Sequence, residues 1–212
     1  MDAPVSAPLV DYWVAQRPIP GQIESGDQFL VAEHPCGVLV AVVDGLGHGE
    51  QASVAAKQAV SSLAAQPDDP VQVLMLRCHE ALKKTRGAVV TLASFEASNN
   101  CLTWLAVGNV EAVLRRNSPA GSKPIAILPR GGIVGDRLPP LNPASLPVSK
   151  GDLLLLATDG IASSFTREIG RMEQPRQLLN HIFTQHAKNT DDALILGVQW
   201  INGSRALKYG VP

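Results

Sequence analysis

Acidic residues stand at four places where apolar runs end or turns begin, and carboxylates in such positions can bind cations. A side chain at the end of a strand can point into a cleft while the strand holds its backbone rigid. A single Asp beside Gly is also a common turn former, so one such position alone would carry little weight. The acidic positions are Asp27 after Ser25-Gly26, Asp44 before Gly45, Asp159 before Gly160, and the pair Asp191-Asp192.

Several carboxylates that converge on one cleft repel one another unless a cation neutralises them. Mg²⁺ and Mn²⁺ prefer oxygen ligands, so the acidic positions predict a binuclear Mg²⁺ or Mn²⁺ centre. The sequence lacks the motifs that other catalytic mechanisms require. It has no GxxxxGK[ST], HExxH or GxSxG motif and no Cys beside a His base. His181 and His186 are five residues apart, off the spacing of a shared ligand face, and we expect them on a solvated helix side.

The bulk composition fits one compact domain. The 212 residues are 45% hydrophobic, enough for one substantial core, so we expect a single domain over 1–212 with a core at about 20–200. A net charge of -1 gives no reason to expect nucleic acid or an anionic membrane as partner. The apolar runs are strand-sized and the N-terminus lacks a signal pattern, which indicates a cytoplasmic protein. The three cysteines have no CxxC pair and are expected in the core.

The pattern of apolar runs predicts an α+β fold. Helical patterns run over 50–65, 70–85 and about 175–187. Turn residues at Ser98-Asn99-Asn100 and Gly108-Asn109 suggest hairpins and hence antiparallel pairing. The segment 116–150 is rich in Pro and Gly and is expected to be a long, partly irregular connection. Strands are predicted at Val38–Val43, Ala88–Phe95, Cys101–Val107, Val110–Leu114, Asp152–Ala157 and Ala193–Gln199.

The segment Asp44-Gly45-Leu46-Gly47-His48-Gly49-Glu50-Gln51-Ala52 resembles the DG(M/L)GHGxxA signature of bacterial PPM-type protein phosphatases. Within that family it is most similar to the branch of sporulation stage II E and RsbX-like stressosome phosphatases. Further matches span roughly residues 20–200, essentially the whole domain. They are Ser25-Gly26-Asp27, Gly87 to Thr91, Gly108-Asn109, Leu156 to Ile161 and Asp191-Asp192-Ala193.

The resemblance implies a four-layer α-β-β-α sandwich with two mainly antiparallel sheets and two Mn²⁺ or Mg²⁺ ions per domain. By the same resemblance, Asp44 bridges both metals and the Gly45 backbone carbonyl binds one of them. Asp27, Asp159 and Asp191 complete the ligand shell or hold its water ligands. Asp191 is preferred to Asp192, because the first member of the family's acidic pair usually coordinates.

The family's chemistry is hydrolysis by a metal-activated bridging water, without a Ser or Cys nucleophile. Asp44 then positions that water. Eukaryotic relatives usually carry His directly after Asp-Gly as a proposed general acid, whereas this chain has Leu46. Protonation of the leaving group would fall to metal-bound water or to His48, for which a structural role in the Gly-rich turn is the competing interpretation.

The resemblance further implies a protein serine/threonine phosphatase that acts on phosphorylated STAS-domain or stressosome proteins and resets a stress response. Only about twenty residues precede Ile23, so we expect no attached sensor module, and we expect a monomer. Three alternatives remain: a phosphatase of an anti-anti-sigma factor, a phosphoprotein-binding pseudophosphatase, and a small-molecule phosphohydrolase with 116–150 as its lid.

Overall fold

The computed structural model describes residues 8–118, 123–170 and 174–201. The predicted C-terminal tail, Asn202 to Pro212, lies outside these residues. The strands are β1 (Val10–Arg17), β2 (Asp27–His34), β3 (Gly37–Gly45), β4 (Ala88–Glu96), β5 (Cys101–Val107), β6 (Glu111–Arg115), β7 (Ile125–Ala126), β8 (Ala144–Pro147), β9 (Leu153–Ala157) and β10 (Ala193–Trp200). The helices are α1 (Glu50–Ala64), α2 (Val71–Leu82) and α3 (Pro175–His186), with a short 3₁₀ helix at Ser163–Glu168.

Two five-stranded antiparallel sheets form the centre of the molecule. The first sheet has the order β1-β10-β9-β6-β7, and the second has the order β2-β3-β4-β5-β8. Apolar side chains of both sheets fill the space between them. A second core joins the β3, β4 and β5 strands to α1 and α2, and a third joins β9 and β10 to α3 and the 3₁₀ helix. The predicted four-layer α+β sandwich is therefore confirmed.

Strand β3 shows why the sequence produces these layers. Its residues from Val38 to Val43 are all fully buried, because one face of the strand meets the other sheet and the opposite face meets α1 and α2. Side chains alternate between the two faces of a strand, so a strand covered on both sides is continuously apolar. The chain leaves this rigid strand at Asp44 and Gly45, at its C-terminal end.

Helix α1 packs closely on β2 and β3 through small residues. Ala52, Ala55, Ala56 and Ala59 are fully buried. Gly45 makes the closest approach, since a Cβ on Gly45 would lie 2.2 Å from the carbonyl oxygen of Ala52. Alanine and glycine at these positions therefore bring the start of α1 directly against the end of β3.

Several expectations differ from the structure. The Gly108-Asn109 turn is not a hairpin, because β5 lies in one sheet and β6 in the other, so the chain crosses between sheets there. Segment 116–150 contains two short strands, β7 and β8, and its Val134 belongs to the helix-facing core. Only Cys78 is buried, whereas Cys36 is exposed and Cys101 is half-buried.

None of the described helices has the length and the apolar composition needed to cross a membrane.

Candidate metal centre

Asp27 and Asp44 lie directly opposite each other on neighbouring strands. Asp27 is the first residue of β2, Asp44 is the next-to-last residue of β3, and the antiparallel register pairs the two. Residues paired in this way present their side chains on the same face of the sheet at close range. Asp27 is only 1% exposed and Asp44 is half-buried, so two carboxyl groups share a site with little access to water.

The other two predicted ligands come from the first sheet. Asp159 follows β9 after one residue, and Asp191 lies two residues before β10. A hydrogen bond joins the two sheets at this point, since the Thr158 hydroxyl donates to Oδ2 of Asp27 at 2.8 Å. The structure therefore brings the strand ends that carry all four predicted aspartates to one edge of the sandwich.

Burial and mutual repulsion disfavour charge on this cluster. Burial, together with the charges of Asp27 and Asp159, raises the pKa of Asp44 to about 8. Burial also raises the pKa of Asp27 to about 7, against a lowering by the Thr158 hydrogen bond. The pKa of Asp191 is raised by burial and by the charge of Asp159. Such a cluster is favourable when cations neutralise it.

The donor set fits divalent metal ions. It consists of carboxylates, which suit Mg²⁺ and Mn²⁺, and it contains no thiolate. Among the described residues, no three His, Cys, Asp or Glu side chains are arranged to hold a metal ion as they stand. Mg²⁺ usually keeps several waters and binds through one or two carboxylates, so it needs no closed cage of protein ligands. The opposed pair of Asp27 and Asp44 supplies two carboxylates of this kind.

Asp192 has a different position from Asp191. Its carboxylate accepts the backbone amides of Ile19 and Gly26, each at 2.7 Å, and the residue is 3% exposed. Asp191 is more exposed and accepts one hydrogen bond, from the amide of Asp192 at 2.9 Å. Each oxygen of Asp192 thus holds a backbone amide of the loop before β2, whereas the hydrogen bond to Asp191 occupies Oδ1 and comes from the adjacent residue.

Gly45 and His48 occupy the turn between β3 and α1. The amide of Gly45 donates to the carbonyl of Gly26 at 3.0 Å, which fixes the backbone of Gly45 beside the loop that carries Asp27. The His48 side chain is exposed, and its residue lies in the turn between the end of β3 and the start of α1. The ligand role of the Gly45 carbonyl and the catalytic role of His48 stay predictions.

Three residues with no role in the sequence-based prediction support the aspartates. Asn109 donates from Nδ2 to Oδ2 of Asp159 at 2.8 Å, and the Nζ of Lys188 donates to the carbonyl of Asp159 at 2.5 Å. Thr158 holds Asp27 as described and also accepts the amide of Leu194 at 3.0 Å. Asn109 lies in the segment that crosses between the sheets, and an Asn at such a crossover is the signal that could have identified it.

The two histidines of α3, which were expected on a solvated side of the helix, face a carboxylate of the 3₁₀ helix. His181 and His186 approach Glu168 of the 3₁₀ helix, with Nε2 to carboxylate distances of 3.5 and 3.9 Å. Both are half-buried rather than on a solvated face.

Comparison with known proteins identifies similar sequences and folds. The chain is 28% identical to the phosphoserine phosphatase RsbX of Bacillus subtilis (strain 168) over 144 residues, which cover 66% of this chain and 69% of that protein. It is 27% identical to a chain from a structure described as "The bacterial stressosome: a modular system that has been adapted to control secondary messenger signaling". The TM-score is 0.80, with 90% of this chain and 99% of that chain covered.

Two further solved structures share the fold. RsbX in complex with magnesium gives a TM-score of 0.81 at 22% identity, covering 90% of this chain and 94% of that one. The PP2C phosphatase domain of SpoIIE from Bacillus subtilis gives 0.78 at 17% identity, covering 92% of this chain and 64% of that one. The family model for Stage II sporulation protein E (SpoIIE) matches residues 35–201. This chain therefore belongs to the SpoIIE family.

Proposed function

We propose that this protein is a metal-dependent serine/threonine phosphatase that hydrolyses phosphoproteins with two Mn²⁺ or Mg²⁺ ions. The observation that carries the proposal is the pair formed by the buried Asp27 and the half-buried Asp44, opposed across β2 and β3. Like charges directly opposite each other in a sheet are destabilising, so this arrangement costs the fold stability unless cations bind there. RsbX, a relative by sequence, is a phosphoserine phosphatase, and its solved structure contains magnesium.

When bound, the two cations would lower the pKa of a bridging water and neutralise the phosphoryl oxygens. Asp44 would contact both ions, and its carboxyl group is close enough to those of Asp27, Asp159 and Asp191 for their charges to raise its pKa. The Gly45 carbonyl would add one backbone ligand. The 2.8 Å bond from Thr158 orients the carboxylate of Asp27.

Asp159 and Asp191 would complete the site from the first sheet. The hydrogen bond from Asn109 leaves one oxygen of Asp159 to face the ions or their waters. The exposed His48, in the turn that follows Gly45, or a metal-bound water would protonate the leaving group. Leu46, which follows Gly45, cannot provide that proton.

The substrate we propose is phosphoserine or phosphothreonine on a STAS-domain or stressosome protein, by analogy with RsbX. A phosphorylated anti-anti-sigma factor would present the same chemistry and is the alternative. We further propose that the protein works in the cytoplasm as a monomer.

The test is phosphate release from a phosphorylated STAS-domain protein, measured for the wild type and for Asp44→Ala. We expect turnover by the wild type with Mn²⁺, none after chelation by EDTA, and a loss of at least about a hundredfold in Asp44→Ala, as expected when a metal-bridging group is removed. Equal rates for the two proteins would refute the metal mechanism. A wild type that binds the phosphoprotein without turnover would instead support a pseudophosphatase.

A further inference from the structure

A cleft of about 490 Å³ opens beside the Asp44-Gly45 turn. Its floor includes the first turn of α1, and its wall is the loop between α2 and β4. The loop and the turn are joined, because the amide of Leu46 donates to the carbonyl of Gly87 at 3.1 Å. None of the five predicted metal ligands lines the cleft. The lining residues are Glu50, Gln51, Val54, Lys84, Thr85 and Arg86.

Arg86 is held at the end of this cleft by the local backbone. The Thr85 hydroxyl donates to the carbonyl of Leu82 at 2.8 Å and accepts the amide of Gly87 at 3.0 Å, which fixes the loop on both sides of Arg86. The guanidinium lies over Gly47, since a Cβ on Gly47 would be 2.9 Å from Nη1. Arg86 is therefore positioned against the turn that follows Asp44.

The basic side chains between α2 and β4 differ in whether an acidic residue pairs with them. Lys83 pairs with Glu80 at 2.7 Å on the surface of α2. Lys84 and Arg86 are exposed, and neither makes a hydrogen bond or ion pair with any residue that the structure describes. Glu50 is the acidic residue of the cleft lining, so the cleft has two cationic side chains to one anionic side chain. Its charge favours an anionic ligand.

We propose that this cleft binds acidic residues that flank the phosphoserine or phosphothreonine of the protein substrate, with Lys84 and Arg86 pairing with their carboxylates. This inference rests on the phosphatase function proposed above. The guanidinium fork of Arg86 matches a carboxylate in a bidentate arrangement, and Lys84 adds a point charge. Because the cleft is separated from the aspartates by the turn at 46–49, its occupant is the chain next to the phosphorylated residue and not the phosphoryl group.

The test measures the turnover of three substrates by this protein with Mn²⁺. They are a phosphoserine peptide flanked by acidic residues, the same peptide flanked by neutral residues, and p-nitrophenyl phosphate. In the double variant Lys84→Ala/Arg86→Ala we expect kcat/KM for the acidic peptide to fall by about tenfold, mostly through KM, as expected from two exposed ion pairs. For the other two substrates we expect less than about a twofold change, because they place no carboxylate in the cleft.

Lys83→Ala is the matched control, because it removes the same charge from the neighbouring residue, which does not line the cleft. In Lys83→Ala, kcat/KM for all three substrates should equal the wild-type values. The loss in the double variant should also shrink as salt is raised to about 0.5 M, since exposed charges are screened. An equal loss with p-nitrophenyl phosphate, an equal loss in Lys83→Ala, or no loss with the acidic peptide would each overturn the proposal.

Peptide binding separates this inference from the proposed function. The acidic peptide without its phosphate is titrated by calorimetry into the metal-free wild type and the double variant. We expect about tenfold weaker binding to the variant, whether or not the wild type turns over any substrate. Equal affinities would refute the docking cleft while leaving the phosphatase function untouched. Absent turnover with weakened binding would refute only the phosphatase function.

Discussion

Replacing Asp192 and Asp191 separately by Asn should give opposite results, although the residues are adjacent. The carboxylate of Asp192 accepts two backbone amides at 2.7 Å in a site that is 3% exposed. Asparagine keeps one acceptor oxygen and turns an NH₂ group toward the second amide. A buried donor without a partner costs about 1–3 kcal/mol, and a charge-assisted bond is lost as well, so we expect a loss of about 2–4 kcal/mol.

Asp191→Asn should leave the metal-free protein almost unchanged, within about 0.5 kcal/mol. The amide oxygen of Asn can still accept the backbone amide of Asp192, and the substitution removes one of the charges that raise the pKa of Asp44. Metal binding should reveal its role. At a metal concentration of about 100 Kd, the wild type gains about 2.7 kcal/mol, and Asp191→Asn should gain clearly less.

The assay is thermal and urea unfolding of both variants, with EDTA and with Mn²⁺. For a protein of this size, the loss expected for Asp192→Asn corresponds to a drop of roughly 5–15 °C in Tm. Asp192→Asn should still gain stability from Mn²⁺, because its carboxylate holds a loop and not the ions. The assignment would be refuted if Asp191→Asn lost stability in EDTA and Asp192→Asn lost its response to Mn²⁺.

Three further predictions follow from the same cluster. Since the pKa of Asp44 is raised in the folded state, the contribution of Asp44 to metal-free stability should be fully present below the ordinary Asp value and fall as the pH rises to about 8. In Asp44→Asn, the free energy of unfolding measured in urea at successive pH values should depend less on pH than in the wild type. Gly160→Ala places a Cβ 1.8 Å from the carbonyl oxygen of Asp192, so the free energy of unfolding in urea should fall by about 3 kcal/mol or more. Gly170→Ala is the control and should be nearly neutral, because no atom lies within 4 Å of its added Cβ. Thr158→Val should weaken Mn²⁺ binding by roughly tenfold in calorimetry, and Thr158→Ser should restore it. A wild-type affinity in the valine variant would contradict the orienting role of the hydroxyl.

The central strands and helices could be predicted because their patterns are strong. The apolar run in β3 is continuous, since both faces of the strand are covered, and the predicted Val38–Val43 lies within the observed Gly37–Gly45. The strand β1 was not predicted, because it lies at the edge of its sheet and carries exposed and half-buried residues after Val10. Its formation depends on pairing with β10, which runs from Val10 with Trp200, 190 positions apart, to Arg17 with Ala193, 176 positions apart. The local sequence pattern does not indicate a partner so distant along the chain.

The aspartates of the candidate site were predictable from their positions at strand ends, whereas their supporting contacts were not. Thr158 donates to Asp27 across 131 residues of sequence, and Asn109 donates to Asp159 across 50. The Gly108-Asn109 turn was interpreted as a hairpin because hairpin turns and sheet crossings share the same residues. The preference for Asp191 over Asp192 came from the family pattern and stays a prediction, whereas the two amides bound by Asp192 could not be read from the sequence.

The most direct measurement is a crystal structure of the protein grown with Mn²⁺, with anomalous diffraction data collected at the manganese edge. The account predicts two anomalous peaks about 3.5–4 Å apart, both in contact with the carboxylate of Asp44. Asp27, Asp159, Asp191 and the Gly45 carbonyl should surround them directly or through water. Absence of manganese at Asp44, or peaks located elsewhere on the molecule, would contradict the account.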